Sequence, residues 1–249
     1  MGFMKNNQIV LNFLVFAEKI ANGRQQNELL ADIKALGFQA VEIRREYFKD
    51  IQKEIPLIKK EAARLGLDLF YSVPDEVYVS GSINPNLVGY LQEANEMSVK
   101  QIKWNIGDFN GELHAEELKA LIDSGVAITI ENDQTQTSGT ISAIKKYMTA
   151  VTAENLAIGY VYDLGNWRFV GEDEVTAAEA LAEYVHYIHV KDVRYEANQP
   201  QATGLDHGVI DWRKVLSILP DNLPIAIEYP TKTNEEILEA KNLLEEEVK

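Results

Sequence analysis

Four side chains able to bind metals or move protons close four apolar runs in this chain. Glu131 lies in AITIEND, Asp163 in IGYVYDLGN, His189 in VHYIHVKD and Glu228 in PIAIEYP. The gaps of 32, 26 and 39 residues each suit about one strand plus one helix. If those strands lie parallel around a barrel, their carboxyl ends share one mouth. Three carboxylates and one imidazole meeting there would hold a divalent cation. The set has oxygen and nitrogen but no sulfur, which favours Mn2+, Mg2+ or Co2+ and leaves Zn2+ open.

The elements that must position these groups repeat along the whole sequence. Short runs rich in Val, Ile, Phe or Tyr predict strands at 9–16, 38–46, 67–73, 99–105, 126–132, 157–163, 185–191 and 224–229. Helical faces lie between them. Leu29, Leu30, Ile33 and Leu36 form one, ended by Gly37. Ile55, Ile58, Ala62 and Leu65 precede Gly66, and Leu118, Leu121 and Ile122 precede Gly125. A final helix, acidic on its outer face, is expected from Glu235 to Val248. Eight strand–helix alternations predict an α/β protein, a (β/α)8 TIM barrel in which 1–249 make a single domain. The longest irregular stretch, Glu196 to Gly208, follows the seventh strand and so belongs on the functional face.

Strand alternation sharpens this. Val126, Ile128 and Ile130 share one side of the fifth strand, and Ala127, Thr129 and Glu131 the other. The same split sets Asp163, His189 and Glu228 on the smaller, inward side of their strands. Glu42, Arg44 and Glu46 take that side in the second strand.

Composition limits the function classes. The 249 residues include 24 basic and 39 acidic ones, a net charge of −15. That balance opposes nucleic-acid binding, which needs a basic footprint. Cysteine is absent, so disulfides, thiolate metal sites and a cysteine nucleophile are excluded. No run reaches the ~18 apolar residues of a membrane span. The segment IVLNFLVFA is short and holds Asn12, so it is read as the first strand rather than a signal sequence, and the protein as cytoplasmic. The nucleotide-binding, zinc-protease and serine-hydrolase motifs are missing.

The other polar groups carry two readings each. Lys103, Lys191 and Arg44 face inward near strand ends. They either pair with Glu42, Glu46, Asp192 or the metal carboxylates, or grip an anionic substrate group. Trp104 and Trp167 either stack on a sugar ring or cover the barrel. His207, in LDHGVIDW, is a free loop residue or a substrate contact. His186 sits three residues before His189, on the opposite strand face, and is expected to pack or cap. His114 is read as inert.

With these residues the whole chain resembles the xylose-isomerase-like barrels, a superfamily of sugar isomerases, epimerases, inosose dehydratases and repair endonucleases. The resemblance implies that Glu131, Asp163, His189 and Glu228 are the metal ligands, and that Glu131 and Glu228 also take and return a substrate proton. The stretches IENDQT, YDLGNWRFVGED and AIEYP look like a narrower branch, epimerases of 2-ketogluconate utilisation. Where ketose 3-epimerases carry a substrate-binding His, three residues past the sixth-strand Asp, this chain has Asn166. Arg194 lies near the place of a second family substrate residue. Four histidines fall short of the trinuclear zinc site of the endonucleases.

The expectation is a metal-dependent epimerase or isomerase acting on a small carbohydrate, a keto-sugar or keto-sugar acid, through an enediolate. Arg44, Lys103, Asn166, Trp167, Lys191 and His207 are its candidate substrate contacts. The alternatives are an inosose-type dehydratase on the same site and a non-catalytic sugar-acid binder. Relatives often dimerise or tetramerise, so a homo-oligomer fits the resemblance.

Overall fold

The computed structural model describes residues 9–247. Its strands are β1 (Ile9–Asn12), β2 (Ala40–Arg44), β3 (Asp68–Val79), β4 (Ser82–Ile83), β5 (Gln101–Gly107), β6 (Ala127–Glu131), β7 (Ile158–Asp163), β8 (Val185–Val190), β9 (Asp192–Glu196), β10 (Gln199–Thr203) and β11 (Ile225–Ile227). Eight of them are the staves of a closed barrel, in the order β2, β1, β11, β8, β7, β6, β5, β3, with β2 pairing β3 to complete the ring. Every pairing between staves is parallel. The chain therefore folds as a (β/α)8 TIM barrel.

Each stave coincides with an expected strand, and the differences have local causes. β1 stops at Asn12 because its side chain accepts from Leu14 N at 2.8 Å and starts a 3-10 turn, Phe13–Phe16. β3 runs on to Val79, with a register shift between Ser72 and Glu76, and turns back against β4. The expected irregular stretch is partly a hairpin of β9 and β10. Val248, where the last helix was expected to end, lies outside the described residues; the helix spans Asn234–Glu247.

Helices join consecutive staves because their apolar stripes cover the outward side chains. Helix Ile51–Leu65 buries Ile55, Ile58 and Ala62, is capped by Asp50 through Lys53 N, and ends at Gly66 with φ of 62°. The core is split in two. A large cluster, including Leu11, Val41, Ile102, Ile130 and Tyr160, fills the space between sheet and helices. A small one, Val10, Ala40, Phe70, Val161, Tyr187 and Ala226, plugs the barrel interior. Two residues further along those strands stand Asn12, Glu42, Ser72, Asp163, His189 and Glu228, all buried. Strand alternation thus stacks a polar layer on the apolar plug.

Candidate metal centre

Register brings the four candidates together. Asp163 pairs with His189 across β7 and β8, and Glu131 closes β6 beside them. Ala226 pairs with His189 across β11 and β8, so Glu228 falls just beyond, its N–H donating to Val190 O at 3.1 Å. Glu131, Asp163, His189 and Glu228 each offer one ligand atom, and these atoms lie within 4.8 Å of one another. All four side chains are buried.

The cluster is held in a web of charge. His189 Nδ1 is 2.6 Å from Glu131 Oε1 and 3.3 Å from Glu228 Oε2. Lys191 Nζ is 2.6 Å from Asp163 Oδ2 and 3.2 Å from Glu228 Oε2. Lys103 Nζ contacts Glu131 Oε2. Arg44 reaches Glu228 Oε1 at 2.8 Å and Glu46 at 2.6 Å. Burial disfavours every charge here, and the opposite charges decide the outcome. For Glu131 the Lys103 and His189 charges outweigh burial and hold the carboxyl below its usual range. For Glu228, Lys191 and His189 do so more strongly. Burial wins at Asp163, pushed up to about 7 against the pull of Lys191. Burial works against protonation of His189, but Glu42, Glu228 and Glu131 keep it well above the ordinary histidine range.

The donors fit a divalent cation. Glu131 Oε1, Asp163 Oδ2 and His189 Nδ1 are buried without a hydrogen bond, one atom from each of three strands. Their contacts are ionic ones, which a metal ion would replace. The far nitrogen of the imidazole, Nε2, lies 3.0 Å from Glu42 Oε2, so Nδ1 is the one free to ligate. Asp163 is held by its own turn: Oδ1 accepts from Gly165 N and Asn166 N at 2.9 and 3.0 Å. Asn132 braces that turn, accepting from Asp163 N and Tyr160 OH and donating to Asp163 O.

The expected substrate contacts divide. Arg44, Lys103 and Lys191 do enter the site, where all three pair with the ligand carboxylates. Trp167 is a correction: it is fully buried and packs on Tyr162 with ring centroids 5.6 Å apart, so no sugar ring can reach its face. Trp104 is buried in the outer core as well. Asn166 is a second correction. Its Nδ2 donates to Asn132 O and its Oδ1 accepts from Gln134, leaving it a brace of the Asp163 turn. His207 is exposed and lines a cavity of about 460 Å³ with Arg194, Tyr229 and Lys232. None of the four ligand residues lines that cavity. Arg194 is exposed and pairs with Glu196. His186 is exposed rather than packed, its ring meeting Tyr184 O. His114 pairs with Glu117 at the start of helix Ala115–Ile122. Asp192 pairs with no lysine; it accepts from Val193, Gly208 and Ile210 N–H groups and ties down the loop after β10.

Sequence reasoning missed Asn12, Asn132 and Tyr187, and saw Glu42 only as a partner for cations. Asn12 had a signal, since a lone amide interrupts an apolar run. Nothing local marks the Tyr187 hydroxyl.

Residues 30–248 match the family model described as xylose isomerase-like TIM barrel, and the chain belongs to that family. Comparison with curated protein sequences finds no match. Solved structures share the fold at low identity. An IolI protein with a bound zinc atom is 14% identical, with 96% of this chain and 97% of that chain covered and a TM-score of 0.71. D-Psicose 3-epimerase with D-tagatose, from Clostridium cellulolyticum H10, is 13% identical over 97% and 99% of the two chains, TM-score 0.70. The probable 3-DHS dehydratase AsbF from Bacillus anthracis is 13% identical over 95% and 98%, TM-score 0.68.

Proposed function

We propose that the protein is a divalent-metal-dependent epimerase or isomerase that moves a proton at the carbon next to the carbonyl of a keto-sugar or keto-sugar acid. The observation that carries this is the convergence of Glu131, Asp163, His189 and Glu228 at the barrel mouth. A bound divalent cation would polarise the carbonyl and stabilise the enediolate left when the proton departs. The hard donor set favours Mn2+, Mg2+ or Co2+; the zinc of the similarly folded IolI protein keeps Zn2+ in play.

Glu131 and Glu228 are the proton carriers in this reading. Lys103 and Lys191 hold them ionised, the state a base needs. Asp163 and His189 hold the metal, fixed by the Asn132 turn and by Glu42.

Incubation of metal-loaded protein with keto-sugars and keto-acids in deuterated buffer tests the reading. Exchange of one carbon-bound hydrogen with solvent supports it. Retention of that hydrogen during isomerisation points instead to hydride transfer. A second reading, a dehydratase, draws on the similarity to the AsbF fold. It predicts loss of water to a new keto product from the same mixtures.

A further inference from the structure

The polar layer contains one fully buried carboxylate that belongs neither to the four ligands nor to an Arg or Lys pair. Glu42, on β2, is 0% exposed. Its Oε2 meets Tyr187 OH at 2.6 Å and His189 Nε2 at 3.0 Å. Its Oε1 accepts from Asn12 Nδ2 at 2.7 Å. The same Asn12 amide lies 3.1 Å from Glu228 Oε1, and its Oδ1 meets Arg44 at 3.2 Å. One side chain from the far wall of the barrel thus touches one metal ligand directly and a second through an amide.

We propose that Glu42 is the positioning residue of the metal centre: it takes the Nε2–H of His189 and so presents the Nδ1 lone pair to the ion. The Glu42 oxygens already accept from Tyr187 OH and Asn12 Nδ2, so the third neighbour, His189 Nε2 at Oε2, is a donor as well. Tyr187 and Asn12 donate by their chemistry, and the imidazole is left with its proton on Nε2. The Tyr187 ring stands edge-on to the imidazole, with centroids 4.7 Å apart. Outer carboxylates of this kind fix tautomer and ring angle, and their loss typically weakens metal binding about 10–100-fold. The inference rests on the metal-centre reading above and adds to it a residue outside the ligand set.

E42Q preserves the shape but not the chemistry. A glutamine amide has one acceptor end, so either Asn12 or the Tyr187–His189 pair would face a donor. The test is titration of metal-free wild type, E42Q and Y187F with Co2+, following heat and the visible d–d spectrum, with circular dichroism to verify the fold. The expected result is a Kd about 10–100-fold weaker for E42Q, a severalfold loss for Y187F, and an altered d–d band in E42Q. A merely structural role would lower thermal stability and leave the band of the loaded protein unchanged. E42Q with a Kd within twofold of wild type and the same spectrum overturns the inference while leaving the metal centre intact. Should E42Q fail to fold, an unchanged Kd for Y187F overturns it. Wild type that binds none of Co2+, Mn2+, Mg2+ or Zn2+ overturns both the inference and the functional reading.

Discussion

The Lys103 ammonium and the Glu131 carboxylate form an ion pair across β5 and β6, with side chains 9% and 5% exposed. Lys103 sits two residues before Asn105, the register partner of Glu131, and reaches along the strand to it. Removing one partner of such a pair strands the other in a dry site, at a cost of about 3–5 kcal/mol. K103M is therefore expected to unfold at markedly lower urea than wild type. An added divalent ion should recover part of the loss, because it restores positive charge beside Glu131. Equal midpoints for wild type and K103M without metal would contradict the pairing.

Metal loading should stabilise the folded chain. An ion at one hundred times its Kd adds about 2.7 kcal/mol. The thermal midpoint is expected to rise on addition of Mn2+ or Co2+ and to return with a chelator. H189A should abolish the rise, since it removes the only nitrogen donor of the set.

Conversion of either Glu131 or Glu228 to Gln removes a proposed proton carrier and keeps the side-chain volume. Turnover, or solvent deuterium exchange into substrate, should fall by roughly 10²–10⁴-fold. If E131Q or E228Q exchanges at the wild-type rate, that residue is not a base.

Trp167 distinguishes packing from recognition. Truncation of a buried Trp to Ala costs about 3–5 kcal/mol. W167F should lower stability modestly and leave KM unchanged. A large rise in KM with unaltered stability would return this residue to the substrate.

Gly208 is pressed against the loop anchor. A Cβ there would meet Asp192 Oδ1 at 2.2 Å and Val193 O at 2.3 Å, so even alanine forces the loop away. G208A is expected to expose 196–208 to limited proteolysis. An unchanged cleavage pattern would mean that Asp192 does not hold the loop.

The staves were legible because buried parallel strands are apolar runs of strand length, and β6, β7, β8 and β11 each carry a candidate ligand at or just past the same end. The alternation rule then placed Glu131, Asp163, His189 and Glu228 correctly on the inward side. Its reach ends at Asp163. There Gly165 caps helix Asn166–Val170, so Asn166 and Trp167 obey a helical period and turn into the core. The β9–β10 hairpin escaped notice because EANQPQAT lacks apolar alternation. Its two turn residues, Ala197 and Asn198, have φ of 48° and 65°, and only the Asn signals such a turn. The role of Glu42 was hidden for a different reason: its partner His189 is 147 positions away and becomes a neighbour only when the ring closes.

Asn12 and Glu228, 216 positions apart, share one amide contact because β1 zips against β11. β11 is the last stave to be synthesised, so a nascent or clipped barrel lacking it offers only three of the four donors. An ion held as proposed would thereby clamp the end of the barrel to its beginning.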